Sequence, residues 1–505
     1  MINKQFALNT TAIGLNLLVQ FTINFFLTSY LVRTVGSTAY GFFTLANTMV
    51  NYALIISTAL NSMSARFVGI EYHKQNFKEA TGYYSSVLYG DLIFVLLLVM
   101  PASVLIWNIG DVINVPDNLI EEVKILFYLV FLNMCINVLG AVFSGVFVIK
   151  NRLDIASYIS VVSNLFKAGL LIILYVCFPS SIVYLGIATV ITTLFLVSCN
   201  YYYNKKLLIE IHLSRKSTKW NLMRIIIIAG VWNSFSQLSI YLLHGLDLLF
   251  CNVMVNAVSM GYLSIAGTMP NAVSSCVSTL SSVFIPKFLE YFSKNQFEEL
   301  VLEVKNSIKF MTIISCVPLC FLVGFGHTFY KLWVPSTDVD LVYLLSICVV
   351  FPNFTGDVIN STNYLYTVTN KVKWPSIVLF INGLLNVATV YCLLRWTCLG
   401  VLAIVLVSAV LGFVRNIIFN APYAARCIGQ PYYVFLPDLF KSFGLICVAS
   451  GICYYVNNSV NISTWLQLIF IGGGTVFGIA LIVSSVVLSK NQIKYIYNRF
   501  NNKLR

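Results

Sequence analysis

The chain has 505 residues, of which 59% are hydrophobic and only 10% are charged, and its net charge is +13. Soluble domains usually contain about 25% charged residues, so this composition excludes an ordinary soluble protein and indicates a membrane protein. The positive charge does not indicate a nucleic-acid partner, because basic residues beside a membrane interact with anionic lipid headgroups.

Hydropathy predicts about fourteen membrane-spanning segments, each with the roughly 20 apolar residues that a helix needs to cross a bilayer. The apolar runs are long and continuous, which favours helices over the short alternating strands of a β-barrel. The predicted fold is an all-α polytopic membrane protein, with approximate spans at 8–33, 42–65, 83–107, 124–148, 155–178, 181–203, 225–252, 257–285, 310–333, 341–369, 375–396, 399–421, 439–456 and 463–488.

An internal repeat divides these spans. Residues 40–80 align without gaps with residues 260–300, and ten of the 41 pairs are identical, including Asn51/Asn271 and Lys74/Lys294. The offset of 220 contains six spans, an even number, so both copies have the same orientation in the membrane. We predict two parallel six-helix repeats followed by two further helices. The predicted parts are a lobe at 1–204, a basic cytoplasmic linker at 205–224, a second lobe at 225–421, two additional helices at 422–489 and a basic cytoplasmic tail at 490–505.

The connections between spans predict the orientation of the chain. Most of the 31 Lys and Arg residues occur in alternate connections, which predicts that both termini lie in the cytoplasm. The charged segments 66–82 and 286–309 are expected to form short interfacial helices. The external connections are too short for a catalytic domain, and no nucleophile or metal-ligand set is evident, so we predict no enzymatic activity, no cofactor and no metal site.

Polar side chains recur inside the predicted spans. Spans one and two carry such residues at helical spacing, and the corresponding spans seven and eight repeat the pattern; the candidates are Asn16, Gln20, Asn24, Asn51, Asn233, Gln237, His244 and Asn271. Amide side chains are costly against lipid, so we predict that these rows line a hydrated cleft between the two halves. Interhelical contacts in a dry bundle are the alternative interpretation.

Charged side chains also lie within the spans. Lys167 and Asp357 are near the middle of their spans, and Arg33, Asp91, Asp247 and Arg415 lie at other depths. We interpret Arg33, Lys167 and Arg415 as candidate substrate contacts, and Asp91, Asp247 and Asp357 as candidate ion-coupling groups. An ion pair within its own half is the alternative for Lys167, and contact with headgroups is the alternative for Arg33 and Arg415.

Three segments resemble a known family. The segments LVRTVGSTAYG (31–41), SARFVG followed by KQNFKEA (64–80) and KNRLDIASYISVVSNLFKAGL (150–170) resemble Wzx-type O-antigen and polysaccharide flippases. Those proteins belong to the superfamily of multidrug, oligosaccharidyl-lipid and polysaccharide exporters, abbreviated MOP, which also contains the MATE multidrug transporters. The resemblance covers the whole chain in its number of spans and in its two halves.

The resemblance implies a flippase of the bacterial cytoplasmic membrane. Its expected substrate is a polyprenyl-diphosphate-linked oligosaccharide, a repeat unit of O-antigen, capsule or exopolysaccharide, moved to the outer leaflet by alternating access. Arg33 and Lys167 are the positions to which the resemblance assigns contacts with the diphosphate. The implied partners are this lipid-linked oligosaccharide, membrane lipids, a polysaccharide polymerase and a chain-length regulator. A cation-coupled multidrug exporter of the same superfamily is the alternative, which Asp247 and Asp357 would favour.

Overall fold

A computed structural model describes residues 4–487, apart from the side chains at positions 4, 6, 7, 10 and 216, so the predicted tail at 490–505 lies outside the described residues. Within this range the chain is helical and contains no strand. The predicted number of fourteen membrane-length helices is confirmed. They are α1 (Lys4–Val35), α2 (Ser37–His73), α3 (Phe77–Trp107), α4 (Asp117–Ile149), α5 (Leu153–Cys177), α6 (Val183–Leu207), α7 (Trp220–Val255), α8 (Ala257–Ser293), α9 (Phe297–Gly324), α10 (Val339–Gly356), α11 (Lys373–Trp396), α12 (Val401–Cys427), α13 (Leu436–Ser459) and α14 (Trp465–Val487).

The outer surfaces of the helices are apolar, as lipid contact requires. On α3, for example, Leu97, Met100 and Trp107 are each at least 70% exposed. A soluble protein rarely shows such a continuous apolar surface. Because a helix satisfies its backbone hydrogen bonds internally, these segments can lie in hydrocarbon without unpaired polar groups.

The segment 66–82 does not form a separate interfacial helix, so that expectation is wrong for the first copy, in which α2 continues to His73. In the second copy, a 3-10 turn at Ser282–Phe284 precedes a short helix, Ile285–Ser293, at the end of α8, and residues 297–309 belong to α9. In both copies a turn of three residues then leads directly into α3 or α9. Gln75 and Asn295 occupy the middle of these turns with φ angles of 61° and 56°. A residue in this left-handed conformation stops a helix and lets the next one begin at once.

The two turns have the same backbone hydrogen bonds at an offset of 220 residues, as the internal repeat predicts. The amide of Lys74 donates to Ile70 O and that of Lys294 to Glu290 O, both at 3.1 Å. The next two donors in each turn have equivalent acceptors as well: Gln75 to Tyr72 and Asn76 to Glu71 in the first copy, Asn295 to Phe292 and Gln296 to Tyr291 in the second.

Internal contacts divide the chain into two compact units, Met1–Ser264 and Ile265–Arg505. In the first unit, α1 packs along α5, α4 along α6, and α2 along α3, α4 and α7. In the second, α9 packs along α13 and α14, and α12 packs against α10 and α11. The lobe, linker and tail boundaries stated above remain predictions.

Glycines allow the close approach of α7 to α2 in the first unit. A Cβ atom on Gly230 would lie only 2.0 Å from the carbonyl oxygen of Ala59, so only glycine fits there. Small residues are the usual means by which membrane helices pack, since lipid provides no hydrophobic force that drives helices together. This contact places the polar side chains of α7 beside those of α2.

Candidate functional site

The polar row of α1 is carried by one uninterrupted helix. Gln20 and Asn24 are exposed, whereas Asn16 is half-buried and its Oδ1 atom is buried without a hydrogen-bond partner among the side chains that the structure describes. The spacing of four residues keeps the three amides on one face. They offer both donors and acceptors, which is the chemistry that sugar hydroxyls require.

Lys167 lies near the middle of α5, and its side chain is half-buried. Its Nζ atom is 5.8 Å from the centroid of the Phe43 ring on α2, a cation–π distance. Among the residues that the structure describes, no carboxylate comes within ion-pair distance of this ammonium group. The predicted alternative, an ion pair within its own half, is therefore not what the structure shows.

The two arginines occupy different settings. Arg33 lies in the last turn of α1 with an exposed side chain. Arg415 lies in α12 immediately before a π-helical turn, Asn416–Asn420, and its Nε and Nη1 atoms are buried without hydrogen-bond partners among residues 4–487. Since these two donors are within the protein, contact with headgroups is not the arrangement that the structure shows for Arg415.

The candidate residues of α7 lie on a helix that two π-helical turns interrupt. Asn233 donates to Ser62 Oγ of α2 at 3.1 Å, and Gln237 is half-buried. His244 is exposed in the first π-helical turn, Tyr241–Gly245, and Asp247 is half-buried between this turn and the second, Cys251–Val255. The hydroxyl of Tyr52 on α2 donates to the carbonyl of Gly245. π-Helical turns of this kind are frequent at functional sites.

Two of the candidate carboxylates are buried and hydrogen-bonded to neutral groups. Asp91 is fully buried and accepts from Asn61 Nδ2 at 2.9 Å. Asp357 is 3% exposed and accepts from Ser274 Oγ at 3.3 Å, and this Oγ atom accepts in turn from Asn353 Nδ2 at 2.9 Å. In each carboxylate the Oδ2 atom is buried and has no hydrogen-bond partner among the described residues. Neither carboxylate forms an ion pair with a described residue.

The remaining candidates belong to the polar rows of α2 and α8. Asn51 is half-buried on α2, and Asn271 is exposed on α8. Sequence reasoning missed Asn61, Ser274, Asn353 and Tyr52, which contact candidate residues or their immediate neighbours. A usable signal existed for Asn61, because a buried carboxylate needs a partner on a neighbouring helix.

The comparison with solved structures identifies the fold. The structure is similar to that of the lipid II flippase MurJ in an inward closed conformation, with a TM-score of 0.68 and 13% sequence identity over 95% of this chain and 98% of that one. It is also similar to an inward-facing MATE family transporter of the MOP superfamily, with a TM-score of 0.60 and 13% identity over 86% of this chain and 99% of that one. The chain has the same fold as these two proteins.

A third solved structure has a similar fold. The MATE multidrug transporter DinF-BH, solved as a complex, has a TM-score of 0.62 and 14% identity over 84% of this chain and 96% of that one. No protein-family model matches the sequence. In sequence, the chain is 26% identical over 504 residues to the uncharacterized membrane protein EpsK of Bacillus subtilis (strain 168), covering 98% of both chains. The solved structures named here are those of transporters and a flippase, and none is that of an enzyme.

Proposed function

We propose that this protein is a flippase that moves a polyprenyl-diphosphate-linked oligosaccharide from the cytoplasmic to the outer leaflet of the bacterial cytoplasmic membrane by alternating access. The observation that carries the proposal is Lys167, a cationic side chain near the middle of an apolar helix with no carboxylate partner among the described residues. A charge at this depth in a membrane helix is rare without a function or a partner. The fold similarity to a flippase over 95% of the chain supports the same function.

The chemistry of the first unit suits such a substrate. A sugar diphosphate cannot cross hydrocarbon unaided, because its charges and hydroxyls would lose their water without replacement. Lys167 offers a positive charge for the diphosphate, and Asn16, Gln20 and Asn24 offer hydrogen bonds for the sugars. In the proposed setting both termini lie in the cytoplasm, and a polysaccharide polymerase and a chain-length regulator act on the product.

Reconstitution tests this proposal. In proteoliposomes loaded with a polyprenyl-diphosphate-linked oligosaccharide, Lys167→Ala should slow translocation by about tenfold or more, since a charge-assisted hydrogen bond is worth roughly 1.5–3 kcal/mol. Lys167→Arg should keep most of the activity. Lys441→Ala is the matched control, because Lys441 is also within an apolar helix, α13, but its ammonium group donates to Val486 O at 3.2 Å. Full activity of Lys167→Ala would remove Lys167 from the site.

A cation-coupled multidrug exporter is the second candidate, and the buried carboxylate of Asp357 together with the half-buried Asp247 favours it. The two functions differ in their effect on the cell. Deleting the gene should stop assembly of a surface polysaccharide without changing drug sensitivity if the flippase proposal is correct. Raised sensitivity to cationic drugs with unchanged polysaccharide would instead support the exporter.

A further inference from the structure

A buried acid–amide pair joins α2 and α3 in the first unit. Asn61 donates through Nδ2 to Asp91 Oδ1 at 2.9 Å and to Ser57 Oγ at 2.9 Å. Asp91 is fully buried and Ser57 is 5% exposed, so bulk water does not solvate the carboxyl group. The remaining oxygens of the pair, Asp91 Oδ2 and Asn61 Oδ1, are both buried without a hydrogen-bond partner in the described part of the chain.

In this pair, hydrogen-bond acceptors therefore outnumber the hydrogen-bond donors that can reach them. Both hydrogens of the Asn61 amide are already directed at oxygens, and an ionised carboxylate brings no donor of its own. A proton on the carboxyl group of Asp91 removes the buried negative charge and supplies the missing donor. A carboxylic acid and an amide then present matching donors and acceptors to each other, whereas a buried unpaired carboxylate is strongly unfavourable.

No cationic side chain that the structure describes replaces this proton. The charged or titratable groups on the elements packed against α3 are Tyr40, Tyr52, Arg66, Glu71, Tyr72 and His73 on α2, Asp111 on the short helix Ile109–Val112, Asp117, Glu121, Glu122, Lys124, Tyr128 and Cys135 on α4, Arg224, Tyr241, His244, Asp247 and Cys251 on α7, and Arg215, Lys216 and Lys219 before α7. None of those whose side chains the structure describes forms an ion pair or hydrogen bond with Asp91. A metal ion is also disfavoured, because hard cations such as Ca²⁺ take about six to eight oxygen ligands and the pair leaves two oxygens free.

The other copy of the repeat shows that the fold does not need an acid at this place. The equivalents of Asn61 and Asp91 at an offset of 220 are Ser281 and Met311, and both are fully buried. They contact each other in the same way, with Ser281 Oγ 3.5 Å from Met311 Sδ. One copy of the repeat thus carries an ionisable pair where the other carries a neutral one, so packing alone does not explain Asp91.

We propose that Asp91 and Asn61 form a proton-binding site between α2 and α3. The site exchanges one proton, which is held on the carboxyl group of Asp91 and hydrogen-bonded within the pair. Its use in driving translocation rests on the proposed flippase function. The binding of the proton does not depend on that function.

Infrared difference spectroscopy of the full-length protein in lipid bilayers tests the binding step without any substrate. A pH increase should abolish the C=O stretching band of a protonated carboxylic acid, and Asp91→Asn should lack this band. Asn61→Leu should shift the band, because the acid loses its amide partner. Asp111→Asn, which removes an exposed carboxyl group in the short helix Ile109–Val112, is the control and should leave the band unchanged.

Several outcomes would overturn the proposal. The absence of an Asp91-dependent band at every pH means that the group is always ionised, and a band that persists at every pH means that the proton does not exchange. Loss of the band on adding Na⁺ at constant pH assigns the site to a metal ion. If Asp91→Asn does not fold, the double variant Asn61→Ser with Asp91→Met transplants the neutral pair of the other copy and should lack the same band.

Transport provides a separate measurement. A pH gradient should change the translocation rate of the wild-type protein in proteoliposomes, and the ratio of rates with and without the gradient should fall to one in Asp91→Asn. If the pH-dependent band is present but no lipid-linked oligosaccharide is moved, the flippase proposal fails and the proton site stands. If translocation occurs and the ratio for Asp91→Asn equals that of the wild type, this proton does not drive transport.

Discussion

Ser264 donates its hydroxyl hydrogen to Thr44 Oγ1 at 2.8 Å, and the two residues are equivalent positions of the internal repeat, 220 residues apart. One turn earlier, the equivalent glycines Gly41 and Gly261 also meet, since a Cβ atom on Gly41 would lie 2.8 Å from Gly261 Cα. In the first unit, the backbones of α2 and of the beginning of α8 therefore approach each other closely, and the residues in contact are equivalent positions of the repeat.

We expect Gly261→Ala to destabilise the protein. A Cβ atom at this position would lie 2.5 Å from the carbonyl oxygen of Ser37, a backbone atom that no change of rotamer can move away. Overpacking of this kind costs about 1–3 kcal/mol, so thermal unfolding in detergent should occur at a lower temperature. Gly169→Ala is the control, because nothing lies within 4 Å of its Cβ position, and it should be neutral or stabilising. Equal unfolding temperatures for the two variants would contradict the close contact.

The side chain of Asn9 links the beginning of α1 to the beginning of α5 by hydrogen bonds. This side chain donates to Asn151 Oδ1 at 3.0 Å and accepts from the amide of Asp154 at 3.0 Å. We expect Asn9→Ala to cost about 1–3 kcal/mol, because it leaves a buried amide without an acceptor. Hydrogen exchange at Asp154 should become faster. Thr22→Ala removes only a bond to Leu18 O within α1 and should leave this exchange rate unchanged.

Arg415 and Asn416 are neighbours on α12 with opposite expected effects on stability. Arg415→Met removes two buried donors that have no partner, so the unfolding temperature should stay the same or rise. Asn416→Ala removes bonds to Thr355 Oγ1 at 3.1 Å and Pro352 O at 3.3 Å and should cost about 1–3 kcal/mol. Thermal unfolding of both variants in detergent measures the difference. A large loss of stability in Arg415→Met would show that the guanidinium group is bonded in solution.

The sequence is sufficient to predict the spans, the repeat and the polar row of α1, because all three depend on composition or on regular spacing. It does not predict the π-helical turns of α7, which no residue type marks and which change the register between Gln237 and Asp247. The usual α-helical spacing therefore cannot relate His244 and Asp247 to the residues before them.

Partners on different helices are equally hard to predict. Asp91 is recognisable in the sequence as a buried acid, but its bond to Asn61 depends on how α2 and α3 rotate against each other. The polar residues Thr58 and Ser62 of the same helix lie roughly 60° and 100° around its axis from Asn61, so helical spacing alone does not single out the residue that meets Asp91. Lys167 shows the opposite case, because its depth in the membrane is evident from the sequence, and the structure adds the contact with Phe43 and the lack of a carboxylate partner among the described residues.

The three-residue turns after α2, α4 and α8 limit which helices can separate. A fully extended chain spans at most about 3.6 Å per residue, so the facing ends of α2 and α3 can never be more than about 14 Å apart. The connection between Leu207 and Trp220 is long enough for about 45 Å on the same basis. Helices joined by short turns must therefore move together as hairpins. Large relative movements within the first unit require its longer connecting segments.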